Sequence, residues 1–177
     1  MQLPTRLSDG AVVLRQIEAG DRADVLRTMR DPLVRRWLNM PADPADRHFD
    51  ELCRRVAEGR RTGDRFDYVV ADAAEDRAVG SVTASRRHRE NYEVAYLAGP
   101  EGRGRGLMSR AVRLLCDALF VEGIGRLEIR THPENRESQR LAERAGFVRE
   151  GRERRSIWLH GRREDAILWS LLPDDPR

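Results

Sequence analysis

Apolar positions along the chain repeat with two different periods. Alternation of period two predicts strands at 11–17, 66–72, 78–85, 91–98, 126–131 and 165–172, with another starting at Phe147 and Val148. Helical stripes fill much of the rest. Asp21 starts one with Val25, Leu26 and Met29 on a common face, and Asp31-Pro32 restarts a short helix carrying Val34, Trp37 and Leu38. Pro41 and Pro44 break the chain before a helix over 45–59, built on Phe49, Leu52, Cys53 and Val56 and ended by Gly59. A longer helix over 104–122 places Leu107, Ala111, Leu114, Leu115 and Ala118 on one stripe and stops at Gly123; another covers 136–145 and ends at Gly146. Loop 73–77 turns the first hairpin, and Arg86–Asn91 turns the second.

These elements describe an α/β (α+β) chain, one domain over residues 1–177 with its core at about 11–172. The first half is mostly antiparallel. Strand 91–98, helix 104–122 and strand 126–131 form one crossover, which makes those two strands parallel and the connection right-handed. Six to seven strands and about four helices are expected.

Composition narrows the chemistry. All 33 basic side chains are arginine, so no lysine Schiff base or lysine general base is available. Net charge is only +3, with the signs interleaved, which does not demand nucleic acid as the main partner and suits a small anionic ligand. Cys53 and Cys116 lie far apart without metal-ligand spacing; Cys116, among Leu114, Leu115 and Leu119, reads as a buried helix residue. No metal is expected. Reduced thiols, no signal-peptide pattern and no apolar run of membrane-spanning length point to a cytoplasmic chain without membrane contact.

The most informative segment is Tyr92 to Ser109, where an alternating strand runs into Gly102-Arg103-Gly104-Arg105-Gly106 and then a helix. Glycines let the backbone approach a ligand, and a helix N-terminus offers N–H donors and partial positive charge, the makings of a pyrophosphate cradle. The plain alternative is a tight turn capping a surface helix. A Walker P-loop is excluded by the missing Gly-Lys-Ser/Thr. A dinucleotide site fits poorly, because the turn does not follow the first strand and Glu122, at about the right distance, ends a helix.

Asn135-Arg136-Glu137-Ser138 follows the next strand, with Leu141 and Gly146-Phe147 beyond. With these residues the chain resembles the GNAT superfamily of acetyl-CoA-dependent N-acetyltransferases. The family cradle reads Gln/Arg-x-x-Gly-x-Gly/Ala; Gly104 and Gly106 match, while Glu101 departs from the usual Gln or Arg, and Arg103 is the candidate to supply that charge. Leu14-Arg15, the stretch Asp31 to Leu38, and the closing Trp158 to Asp165 with Trp169-Ser170-Leu171 are similar to the branch that acetylates ribosomal-protein N-termini.

The resemblance implies a splayed, mostly antiparallel sheet and transfer of acetyl from acetyl-CoA directly to a primary amine. The acceptor would be a protein N-terminus or a small molecule such as an antibiotic or metabolite. A non-catalytic acyl-CoA sensor or partner-binding module is the alternative, and homodimerisation is left open. N–H groups of 103–108 (Arg103, Gly104, Arg105, Gly106, Leu107, Met108) would hold pyrophosphate. Leu97 and Ala98 would pair with pantetheine, a strand N–H near Leu97 would receive the oxyanion, and Asn135 would hold the pantetheine arm. Glu93 is the candidate base, commonly through water in the family; its alternative is a solvated or salt-bridged strand residue. Ser138 is the candidate proton donor to the coenzyme thiolate, or else an N-terminal cap on its helix. His132, His160, Asp165, Trp37 and Trp158 are placed around the acceptor side or in plain structural roles, and the run Arg149–Arg155 reads as a solvated strand edge.

Overall fold

The computed structural model describes residues 1–88 and 90–176. Eight strands form one sheet in the order β1-β2-β3-β4-β5-β6-β8-β7. In chain order these are β1 (Arg6–Ser8), β2 (Val12–Arg15), β3 (Arg65–Asp72), β4 (Ala78–His88), β5 (Asn91–Ala98), β6 (Arg126–Thr131), β7 (Val148–Leu159) and β8 (Arg162–Leu171). The helices are α1 (Arg22–Arg30), α2 (Pro32–Trp37), α3 (Asp46–Thr62), α4 (Leu107–Val121) and α5 (Arg136–Arg144). Every pairing is antiparallel except β5 with β6, the parallel pair expected from the crossover.

Alternation divides the sheet into two faces. Tyr68, Val82, Ala84 and Val94 pack with Ala111, Leu115 and Leu119 of α4, all essentially inaccessible to solvent. Each fully buried leucine in that stripe contributes about 2 kcal/mol by leaving water. The opposite parity, Asp67, Val69, Ser81, Thr83, Ala95 and Leu97, lines a cavity closed by α1 and α3.

Several boundaries differ from the sequence reading. The helix expected to stop at Gly59 continues to Thr62, and Gly63, at φ 71°, ends it with its N–H on the Arg60 carbonyl. Gly106 is the N-cap of α4, so that helix begins at Leu107 rather than 104. The first strand is shorter, Val12–Arg15, and β1 is additional. The strand begun at Val148 runs through the arginine-rich stretch to Leu159, and β1 brings the sheet to eight strands rather than six or seven. Strand β4 extends to His88, and Arg89 of the expected second turn lies outside the described residues.

Candidate active site

The site is a gap in the sheet. Strand β5 pairs with β4 along its whole length, from Asn91 opposite His88 to Ala98 opposite Gly80. Its parallel pairing with β6 covers only Asn91, Tyr92 and Glu93, opposite Arg126, Leu127 and Glu128. Beyond Glu93 the strands part. The cleft has a volume of about 770 Å³, with Val94–Ala98 on one wall and Ile129–Thr131 on the other. A strand with one edge unpaired offers alternating N–H and C=O groups to any extended ligand that carries amides. Gly80 makes the wall possible: a Cβ there would lie 2.4 Å from the Leu97 carbonyl oxygen and 2.9 Å from the Met108 sulfur.

At the open end of β5 lies the cradle. Pro100–Gly102 make one 3-10 turn, and Gly104 and Gly106 adopt φ of 71° and 73°, a region where side chains are strained. The turn delivers the chain to the exposed N-terminus of α4. Leu107 and Met108 pack into the hydrophobic core. The charged side chains of the cradle are held elsewhere. Arg103 donates to both carboxylate oxygens of Asp31 and to the Ala98 carbonyl at 3.2 Å. Arg105 pairs with Asp72, and Glu101 accepts from Arg77 at 3.3 Å and pairs with Arg27 at 3.4 Å. Arg103 therefore does not stand in as a free cation for the residue missing at 101. Asp31 also caps α2, accepting from the N–H groups of Leu33 and Val34 at 3.0 Å. The Arg103 hydrogen bond holds its carboxyl below the ordinary range. Arg140 and Arg144, one turn apart on α5, line the cleft and carry no ion pair among the described residues. In the sequence the two show only as an i, i+4 pair after Asn135.

Where β5 and β6 diverge, Glu93 sits in a charged network. Arg130 donates through Nη1 to Glu93 Oε2 at 3.2 Å and to Glu128 at 3.0 Å, and holds Glu153 at 2.8 and 3.0 Å. Burial works against the Arg130 charge, but the three carboxylates outweigh it and keep the guanidinium protonated. Arg87 binds the same Oε2 of Glu93. Among the described residues Glu93 Oε1 has no hydrogen-bond partner, and Glu93 faces the cleft. The residue is thus salt-bridged through one oxygen and available through the other.

Across the gap, Asn135 caps α5 by accepting the Ser138 N–H at 3.1 Å, leaving its Nδ2 as a donor. The capping role considered for Ser138 therefore belongs to Asn135; Ser138 lies three residues into the turn. Its Oγ instead meets the Tyr96 hydroxyl at 3.0 Å, and that hydroxyl donates to the Ser138 carbonyl at 2.9 Å. Burial pushes the Tyr96 hydroxyl up to about 12, with the Ser138 hydrogen bond acting in the opposite sense. In the sequence Tyr96 shows only as an alternating strand position.

Flanking the gap, Trp37 packs against His132 with the rings tilted by 38° and their centroids 5.0 Å apart, and both line it, as does Trp158, 57% exposed. Asn39 ties the two rims. Its Nδ2 donates to the Trp158 carbonyl and its Oδ1 accepts the His160 N–H, each at 2.8 Å, while His160 Nε2 lies 3.1 Å from the Arg36 carbonyl. Asp165 accepts from Arg152 and from the Arg155 N–H at 2.8 and 2.9 Å, anchoring an irregular stretch of β7 rather than an acceptor amine. The run Arg149–Arg155 is indeed a strand edge, and Cys116 is buried. The second cavity, about 410 Å³ between α1, α3 and the sheet, adjoins the cleft through Leu38, Asn39 and Ala95–Leu97.

The sequence profile described as "Acetyltransferase (GNAT) domain" matches residues 11–148. The chain belongs to the GNAT acetyltransferase family. It is 33% identical over 117 residues, 63% of its own length, to "Probable N-acetyltransferase YjcK" of Bacillus subtilis (strain 168), and the match spans 65% of that protein. The crystal structure of ribosomal-protein-S5-alanine acetyltransferase from Vibrio fischeri superposes with a TM-score of 0.79 at 23% identity, covering 98% of this chain and 100% of that one. The microcin C7 self-immunity acetyltransferase, solved with acetyl-CoA and AMP, gives a TM-score of 0.84 at 16% identity over 96% of this chain and 97% of that one. These superpositions extend the shared fold over 96–98% of the chain.

Proposed function

We propose that this GNAT acetyltransferase carries the acetyl group of acetyl-CoA directly to a primary amine, in a ternary complex without an acyl-enzyme. The observation that carries this reading is the gap between β5 and β6, which opens at one end on the glycine cradle and at the other on Glu93. Pantetheine is an extended chain with two amides and fits the unpaired edge at Leu97 and Ala98; its pyrophosphate meets the N–H groups of residues 103–108. Arg140 and Arg144 supply the cations that the engaged Arg103 and Arg105 do not. The Asn135 Nδ2 faces the pantetheine arm.

The amine enters from the cavity on the α1 and α3 face. A β5 N–H near Leu97, on the edge turned away from β4, receives the oxyanion that forms when nitrogen attacks the acetyl carbon. Glu93 lies four residues before Leu97, roughly 13 Å along an extended strand, so its free Oε1 takes the ammonium proton through water. Ser138, across the gap, gives a proton to the departing thiolate. Neither cysteine takes part: Cys116 is buried in the core and Cys53 lies on α3.

The acceptor is a protein N-terminal α-amine or a small amine, admitted beside the rim where Asn39 bonds to Trp158 and His160, each at 2.8 Å. The test is a mass-spectrometric screen for acetylated products over N-terminal peptides and small amines, with free thiol release measured in parallel. An acetylated amine is the expected result. Tight acetyl-CoA binding with no product from any amine would replace this reading with that of an acyl-CoA sensor.

A further inference from the structure

The hydroxyl of Tyr96 has no place in the scheme above, yet it is one of the best-held polar groups in the cleft. It lies 2.9 Å from the Ser138 carbonyl and 3.0 Å from Ser138 Oγ, on the wall opposite Asn135. One phenolic proton cannot serve both oxygens at once. In one arrangement Tyr96 donates to the Ser138 carbonyl, and the serine proton points back at the phenol. In the other Tyr96 donates to Ser138 Oγ, which turns the serine proton into the cleft. We infer that Tyr96 is a positioning residue for the leaving group, switching its hydrogen bond from the Ser138 carbonyl to Ser138 Oγ so that the serine O–H is presented to the coenzyme sulfur. This rests on the acetyl-transfer reading and deepens it.

The step balances. The amine nitrogen bonds to the acetyl carbon and releases its second proton to water, and the carbonyl electron pair moves to oxygen. That pair then returns as the carbon–sulfur bond breaks, leaving its electrons on sulfur. Sulfur takes the serine proton, Ser138 Oγ takes the phenolic proton, and the phenolate recovers one from water. The phenol, whose ionisation burial opposes, is protonated between turnovers at neutral pH. Arg144, whose charge acts on Tyr96 from α5, favours the transient anion.

The test compares two acyl donors. The thiolate of CoA is basic and gains from protonation; the 4-nitrophenolate released from 4-nitrophenyl acetate does not need it. With the best amine from the product screen, Tyr96→Phe and Ser138→Ala are each expected to lower kcat with acetyl-CoA by roughly 100-fold, with little change in its KM. Turnover with 4-nitrophenyl acetate should change less than about twofold. The double variant should be no worse than Ser138→Ala alone, because the two groups act as one unit. Equal losses with both donors, or no loss in Tyr96→Phe, would overturn the inference. A readout independent of any acceptor is the thiol of bound CoA, titrated by its ultraviolet absorbance. It should ionise at lower pH in the parent protein than in either variant. Equal titration in parent and variants would overturn the inference even if no acetylated amine were found, whereas a missing product alone bears only on the proposed reaction.

Discussion

Replacing Glu93 by glutamine separates the two things this side chain can do. In its structural role it accepts from Arg130 at 3.2 Å and from Arg87, both through Oε2. Arg130 keeps Glu128 and Glu153 in the variant, and a glutamine oxygen still accepts one of the two guanidinium donors. The Glu93 side chain is 19% exposed, so the loss of folding stability should stay below about 1 kcal/mol, a melting shift of a few degrees at most. In its catalytic role the carboxylate cannot be replaced, because an amide does not accept a proton from water at neutral pH. A base acting through water belongs at the lower end of general-base effects, so kcat should fall about 100-fold, about 2.7 kcal/mol of barrier. Removing one negative charge beside Arg87 and Arg130 also disfavours an approaching ammonium, so KM for the amine should rise modestly. The assay is initial rate against pH for both proteins, with thermal melts alongside. A variant with unchanged kcat and an unchanged pH profile would remove Glu93 from the chemistry and leave it a salt-bridged strand residue. A large fall in melting temperature with a proportional fall in activity would do the same.

Gly80→Ala puts a methyl 2.4 Å from the Leu97 carbonyl oxygen, so β5 must shift; CoA affinity measured by calorimetry should drop at least tenfold while stability falls by about 1–3 kcal/mol. Asp31 has a carboxyl held below its ordinary value by Arg103, so its contribution is fully present above the unfolded-state value near 3.9 and is lost as pH falls through the lowered folded value. Acid unfolding of Asp31→Asn should therefore be flatter over that window than in the parent, and equal slopes would exclude the linkage. For Tyr96 the sign is reversed: a phenol raised from 10 to about 12 contributes stability below pH 10 that is lost as pH rises towards 12, which ultraviolet titration of tyrosinate against Tyr96→Phe would show. Asn39→Ala removes both 2.8 Å bonds between the cleft rims, and should raise KM for the acceptor more than for acetyl-CoA; the opposite order would place the bridge on the coenzyme side.

What could be read from the chain and what could not follow a physical division. Elements with one buried face showed themselves by period, as in α4, where Ala111 and Leu115 are wholly buried. The parallel pairing of β5 and β6 followed from their crossover. Strand β1 is three residues at the sheet edge, too short to show a period, and β7 shows only its start at Phe147 and Val148, because its arginines and glutamates face solvent on most positions and hide how far the strand runs. The helix end at Gly63 rather than Gly59 depended on which glycine takes positive φ, and both letters look alike in sequence. The cradle glycines were legible because backbone conformation is local. The state of its charges was not: Arg103 finds Asp31 across 72 positions and Arg105 finds Asp72 across 33, distances that only the folded chain closes. The same holds for the two hydroxyls of the cleft. Ser138 announced itself through its place in a motif, while Tyr96, 42 residues earlier, occupied a position that alternation assigned to the core. Its ring does pack there; its oxygen reaches the gap only because β5 leaves β6 after Glu93, and no periodic pattern encodes where a pair of strands parts. Residues whose role depends on that divergence are therefore the ones a sequence conceals, and in this chain they are the residues nearest the proposed chemistry.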